Sequence, residues 1–311
     1  MNRRVSNARR CFSPMEHSPS IYIGPAGWSY PDWNGIVYPA ERPRRFSELE
    51  FIARYFNVVE INSTFYKNPS AATINGWLMT VAKYPHFRFC VKLWNKFTHG
   101  ECYSSDDVGD FKKNLQLIAD SRQLLCVLIQ FPWSFKKSVS SIKKLALLLE
   151  HFGDLPCAVE FRHSSWSDDA VAQFLTERQV SFVNIDQPLL PGSLAPSAVV
   201  TAPVAYVRLH GRNQAKWFRE NAGRDARYDY LYRTDELQQW IDNIQSMASQ
   251  SKSIVVIFNN HFRGQAVVNS FQFKFALQPQ QMNAPSSLLH VYGAQLPFMR
   301  PDMTGHTLDL F

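Results

Sequence analysis

The sequence has little cysteine, no glycine-rich nucleotide fingerprint and no long uncharged apolar run, and each shortage removes a class of protein. Five cysteines (Cys11, Cys90, Cys102, Cys126 and Cys157) are widely spaced in 311 residues, with no Cys-x-x-Cys pair. They make neither a disulfide framework nor a zinc cluster. Cys90, Cys126 and Cys157 lie inside apolar runs, where a thiol behaves as a small hydrophobe. No stretch reaches the roughly 18 apolar residues of a membrane helix. The arginines of the first twenty residues are followed by no apolar segment of the secretory kind. These shortages predict a soluble, cytoplasmic protein with no membrane association. No serine elbow, Cys/His signature or paired-histidine spacing is present either.

What the chain has in quantity is apolar and aromatic residues, 45% and 14%, enough for a large core. The net charge of +7 is unevenly placed. Arg3, Arg4, Arg9 and Arg10 give residues 1–14 a charge of +4, and seven basic residues between Arg208 and Arg233 outweigh three acids there by another 4. The rest is nearly neutral. We expect residues 1–20 to be a basic disordered tail, with Met15 an alternative start, and residues 279–311, polar and interrupted by proline, to be a loose C-terminal extension.

Eight short β-branched or aromatic runs fall near residues 21–23, 58–62, 88–93, 125–131, 157–162, 181–186, 205–210 and 253–259. Between them lie stripes of helical period, such as Leu49, Ile52, Ala53 and Phe56 behind a Ser47 cap. Near-continuous apolar strands alternating eight times with helices predict a single-domain (β/α)8 TIM barrel over residues 21–278. One crossover is expected to be irregular, because Pro188, Pro191, Pro196 and Pro203 leave no room for a sixth helix.

Barrel enzymes carry their chemistry at the C-terminal strand ends. Those ends hold Trp28, Glu60 and Asn62 with Tyr66 just beyond, Lys92, Gln130, Glu160 and Arg162, Asn184 and Asp186, Arg208 and His210, and Asn259 and Asn260. We expect Glu60, Glu160 and His210 to be the proton-transfer groups of a hydrolase- or lyase-type enzyme. Lys92, Arg162, Arg208 and Arg212 would clamp an anionic, phosphate-bearing substrate, with an anion subsite near Arg208, Arg212 and Gly264. Asp186, Asn62, Asn259, Asn260, Trp28 and Tyr66 would complete the binding surface. Glu60, Glu160, Asp186, His163, His210 and His261 are metal-ligand types, but the neighbouring cations oppose a divalent ion, and we expect no metal and no cofactor.

In order, Gly24-Pro25-Ala26-Gly27-Trp28-Ser29-Tyr30, Val59-Glu60-Ile61-Asn62-Ser63-Thr64-Phe65-Tyr66, Val91-Lys92 with Thr98-His99, and Gln130-Phe131-Pro132 form one set of motifs. Glu160-Phe161-Arg162-His163 with Trp166, Arg208-Leu209-His210-Gly211-Arg212, and Phe258-Asn259-Asn260-His261 continue it. Together, over about residues 21–275, they resemble the YecE-like family, domain of unknown function seventy-two. The resemblance implies a TIM barrel and no particular reaction. This chain has Pro25-Ala26 where that family more often carries Thr-Ser.

A second reading comes from the loop after the seventh run. Lys216-Trp217-Phe218-Arg219, Arg224, Arg227, Tyr228, Tyr230, Tyr232 and Arg233 interleave bases with aromatics, as a single-stranded nucleic-acid platform does. The alternative is a lid whose rings pack on the barrel. The terminal Thr307-Leu308-Asp309-Leu310-Phe311 is similar to peptides that bind the bacterial sliding clamp, with Leu308, Leu310 and Phe311 as anchors. A nucleic-acid-associated protein, including a metal-dependent phosphodiesterase, recruited through that peptide is the alternative function.

Overall fold

The computed structural model describes residues 18–100, 102–217 and 224–302. Eight parallel strands form the barrel: β1 (Ser20–Pro25), β2 (Val58–Ile61), β3 (Arg88–Lys92), β4 (Leu124–Gln130), β5 (Cys157–Glu160), β6 (Ser181–Asp186), β7 (Val204–Leu209) and β8 (Ser253–Phe258). Hydrogen bonding runs in the order β1-β8-β7-β6-β5-β4-β3-β2. The helices around it are α1 (Glu48–Ala53), α2 (Ala71–Val81), α3 (Asn95–Thr98), α4 (Ser105–Asp120), α5 (Val139–Phe152), α6 (Asp169–Glu177), α7 (Gln214–Trp217), α8 (Thr234–Ala248) and α9 (Gln265–Leu277). The predicted (β/α)8 architecture is present. None of these helices is long and apolar enough to cross a membrane.

Closure between β1 and β2 is unusual. Their ladder is a single bridge, Ala26 to Glu60, with the Gly27 N–H donating to the Glu60 carbonyl at 2.8 Å. Lower down, the Asn57 side chain substitutes for the missing ladder. Its Oδ1 accepts from the Ile23 N–H and its Nδ2 donates to the Ile21 carbonyl, both at 2.9 Å. Gly24 permits this approach, since a Cβ there would lie 1.9 Å from the Val58 carbonyl oxygen.

The predicted gap in the helix ring lies between β6 and β7, where residues 187–203 form no helix. Buried Asn184 fastens this segment. It donates to the Val199 carbonyl at 2.9 Å and accepts from the Ser197 hydroxyl at 2.7 Å and the Val199 N–H at 2.8 Å. Thr201 binds β6 backbone at Phe182 and the Val180 carbonyl beside it. Polar side chains thus satisfy backbone groups that a covering helix would satisfy internally.

The stretch after α9 differs from the loose extension its composition suggested. β9 (Met282–Ala284), α10 (Ser286–Tyr292) and β10 (Met299–Pro301) form a small unit, with β9 and β10 paired in parallel. Ala284, Leu288, Leu296 and Met299 pack with Phe51, Ile52 and Phe56 around α1 and with Val267, Val268 and Phe271 of α9. A few well-spaced apolar side chains anchor a polar segment across the helices flanking β1. Residues 1–17 and 303–311, including Leu308, Leu310 and Phe311, lie outside the described residues.

Candidate functional site

On β7 and β8, side chains alternate between the two surfaces of the barrel wall. Tyr206, Val255 and Ile257 join the interior core, while Ala205, Val207, Leu209, Ile254, Val256 and Phe258 pack towards α8 and α9. The same period turns Tyr206, Arg208 and His210 inward in succession. Similar two-residue steps bring in Glu60 and Asn62, Cys90 and Lys92, and Glu160 and Arg162.

The charged layer beneath the mouth is buried and closed upon itself. Arg208 donates to Glu60 through Nε at 2.9 Å and Nη2 at 2.6 Å, and through Nη1 to Glu160. Tyr206 adds its hydroxyl to Glu60 at 2.9 Å. Glu160 also receives Arg162 Nε at 2.6 Å and lies 3.3 Å from His210 Nε2. His210 Nδ1 is 3.0 Å from the Asn259 side-chain nitrogen. Burial alone would raise the Glu160 carboxyl, but Arg162, Arg208 and His210 outweigh it and hold it well below the usual range. Burial, followed by the charge of Arg162, pushes His210 down to about 3, so its imidazole is neutral at pH 7. Glu60, Glu160 and His210 are therefore brought together, but with no surface open to solvent.

Above this layer the strand ends enclose a cleft in two lobes of about 420 and 350 Å³. The first is lined by Gly27, Trp28, Ser29, Tyr30, Asn62, Ser63, Trp77, Asn259 and His261. His99, Gln130, Trp133, Arg162, Trp217 and Arg227 line the second. Phe65, Tyr66, Lys92 and Tyr228 face both. No Asp or Glu is among these lining residues; the charged ones are Lys92, Arg162 and Arg227. Rings form much of the wall, with Tyr30 stacked on His261 at 4.4 Å, Tyr228 tilted against His261 at 4.9 Å, and Trp28 edge-on to Trp77 at 5.7 Å.

Lys92 closes β3, and the Thr64 hydroxyl bridges its carbonyl to that of Ile61. Its Nζ lies 4.0 Å from the Phe65 ring centroid. Among the described residues it makes no ion pair or hydrogen bond, unlike Arg208 and Arg162. Burial and then the charge of Arg208 lower it to about 7, against the opposing pull of Glu60 and Glu160. At the same wall the Asn62 side-chain oxygen is buried with no hydrogen-bond partner among the described residues.

Four expected binding residues lie outside the cleft lining: Arg208, closed in the layer below, and Asp186, Arg212 and Asn260. Asp186 is fully buried and accepts from Arg212 Nε at 2.9 Å and Nη2 at 2.7 Å, from the Tyr232 hydroxyl at 3.0 Å and from Trp240 Nε1 at 2.7 Å. Arg212 also pairs with Glu236 at 3.2 Å, so the two residues strap β6 and the loop after β7 to α8. Asn260 donates to the Tyr230 carbonyl and to Asn269, each at 2.8 Å, outside the cleft lining. Nor do Arg208, Arg212 and Gly264 form an anion subsite. Both arginines are engaged by carboxylates, and a Cβ on Gly264 would lie 2.6 Å from Val37 Cγ2. Among the described residues, no group of three His, Cys, Asp or Glu side chains is placed to hold a metal ion.

Trp28 and Tyr66, expected in the binding surface, are joined in the lining by further aromatics. Tyr30, Ser63, Phe65, His99 and His261 lie inside the quoted motifs, which were the available signal; Trp77 read as core. The loop after β7 turns Trp217 and Tyr228 inward onto the mouth, with Arg162 over the Trp217 ring at 5.7 Å. This is the lid-like packing that its composition left open.

Comparison with known proteins decides the family. The model for "Protein of unknown function DUF72" matches residues 22–289. The chain belongs to the DUF72 family. Among DUF72 relatives, the UPF0759 protein YunF of Bacillus subtilis is 30% identical over 271 residues, which span 81% of this chain and 93% of YunF. The structure of a DUF72 protein from Thermotoga maritima is 33% identical with a TM-score of 0.73, covering 83% of this chain and 99% of that one. A DUF72 structure from Enterococcus faecalis gives 26% identity and a TM-score of 0.73, covering 83% and 95%. These names carry no reaction, so chemistry must be argued from the cleft.

Proposed function

We propose that the mouth of this DUF72 barrel binds a small anionic ligand, phosphate-bearing and with a flat ring, as the substrate site of a hydrolase- or lyase-type enzyme. One observation carries the reading: every formally charged side chain among the described lining residues is basic. The lobe volumes suit a small molecule, and the ring-lined walls suit stacking. Arg162 and Arg227 offer the planar donors that fit phosphate or carboxylate. Turning Trp217 and Tyr228 inward favours a single ring over an extended nucleic-acid strand.

Within this reading Glu60, Glu160, His210 and Arg208 act from below the lining. They fix the charge against which a ligand binds, and Asn259 carries the His210 hydrogen bond to the cavity wall. Lys92 is the group at the ligand, and Asn62 supplies an acceptor for a ligand donor. Calorimetric titration with a mononucleotide and with deoxypyridoxine 5′-phosphate tests the proposal. Binding should weaken roughly tenfold in Arg227→Ala, the size of one lost charge-assisted contact. It should also weaken as pH rises through 7 and Lys92 loses its proton. No binding of either compound, or equal binding by the variant, would overturn the assignment.

A further inference from the structure

We propose that Lys92 is an imine-forming nucleophile, and that the ligand of the mouth carries an aldehyde or ketone beside its anionic group. This rests on the anion-binding reading above and names the reactive part of the substrate. The geometry sets Lys92 apart from the other two cations. Arg162 donates its Nε to Glu160 at 2.6 Å, which leaves its Nη groups for a ligand, and Arg227 lies at the exposed rim. Lys92 Nζ sits where the two lobes meet, against the Phe65 ring, with no carboxylate or hydrogen-bond acceptor holding it among the described residues. A lysine retained as a structural cation at a strand end would be expected to pair, as Arg208 does twice and Arg212 does with Asp186. An amine left unpaired beside an aromatic ring and two guanidinium groups is placed as carbonyl-attacking lysines are.

The groups facing it are Glu60 from β2, Glu160 and Arg162 from β5, Arg208 from β7 and His99 after α3. Their balance, with burial, brings the amine to about 7, so about half is neutral at pH 7. For an ordinary lysine the neutral share is about a thousandfold smaller.

The step is balanced without an oxidant. The neutral amine's lone pair attacks the carbonyl carbon, and the carbonyl oxygen takes up a proton. That oxygen then leaves as water, carrying both nitrogen protons in the neutral balance, and a C=N bond joins Lys92 to the substrate. Uptake of one further proton gives the cationic iminium, in which the substrate's adjacent C–H or C–C bond is weakened. Arg162 and Arg227 would hold the anionic end while the ring stacks beside Tyr228.

Pyridoxal 5′-phosphate, an anionic ring bearing an aldehyde, is the probe, added below one equivalent to the full chain and followed by borohydride. Peptide mapping should find the reduced adduct at Lys92 roughly tenfold above any other lysine, the selectivity expected when one amine is far more neutral than the rest. Labelling should rise through pH 7, the opposite of anion affinity. Excess deoxypyridoxine 5′-phosphate, which lacks the aldehyde, should protect. Lys92→Arg should bind that analogue yet take no label at position 92. Analogue binding without a Lys92 adduct would overturn the imine and leave the anion site standing; no analogue binding would overturn both.

Discussion

Arg208→Met tests the charged layer most directly, because methionine keeps much of the side-chain bulk and removes only the cation. Two carboxylates lose their partner, but unequally. Glu160 retains Arg162 at 2.6 Å and His210 at 3.3 Å, whereas Glu60 retains, among the described residues, only the hydrogen bond from the Tyr206 hydroxyl at 2.9 Å. One buried carboxylate is thus stranded, and breaking a buried pair in this way costs about 3–5 kcal/mol. Proton uptake sets a ceiling of similar size: neutralising an ordinary glutamate at pH 7 costs about 3.7 kcal/mol and falls by about 1.4 kcal/mol per pH unit. The penalty relative to the parent, measured from urea midpoints at constant m, should be about 4 kcal/mol at pH 7 and about 1–2 kcal/mol at pH 5. Adding Glu60→Gln to Arg208→Met should recover about half of the loss at pH 7. A penalty below about 1 kcal/mol, or one that neither acid nor Glu60→Gln relieves, would refute the view that Arg208 serves to neutralise that pair.

Gly24→Ala should cost more than about 4 kcal/mol or prevent soluble expression, because its Cβ would meet the Val58 carbonyl at 1.9 Å and backbone must move. A thermal midpoint within a few degrees of the parent would show that the β1–β2 approach is not needed. His210, held at about 3 by burial and then by Arg162, refuses a proton that the unfolded chain accepts below about 6.5. The unfolded state then binds more protons, so stability is lost as pH falls, by about 2 kcal/mol from pH 7 to pH 5 from this residue. His210→Asn should flatten that part of the pH–stability curve, and an unchanged slope would place the titrating group elsewhere.

Much of the barrel is legible in the chain because parallel strands covered on both faces must be apolar throughout, and eight such runs are hard to arrange otherwise. The prolines after β6 made the missing helix equally readable. The polar strand ends disclosed the mouth, but not which of its residues face a ligand. Lys92 and Arg208 look alike in sequence. One is left open and the other closed by carboxylates, Glu60 lying 148 positions away and Glu160 lying 48 away, through a register that only the folded barrel defines. Asp186 is withdrawn from the cleft by donors from Arg212, Tyr232 and Trp240, which local pattern cannot announce. Trp77 was hidden for a different reason: a tryptophan in a helical stripe has the same spacing whether it meets core or cavity.

Pairing β1 with β8 along six residues, and with β2 through one bridge, has a consequence for how the molecule is made. As the chain leaves the ribosome, Ser20–Pro25 emerges before the other barrel strands, while its full-length neighbour begins at Ser253, 233 residues later. At the usual bacterial-to-eukaryotic range of about 5–20 residues per second, that interval is roughly 12–47 s. For that time the Ile-Tyr-Ile run of β1 has an unsatisfied edge that other strands can template upon. The nascent protein must be held, by its own later helices or by a chaperone, until its last repeat arrives to shelter its first.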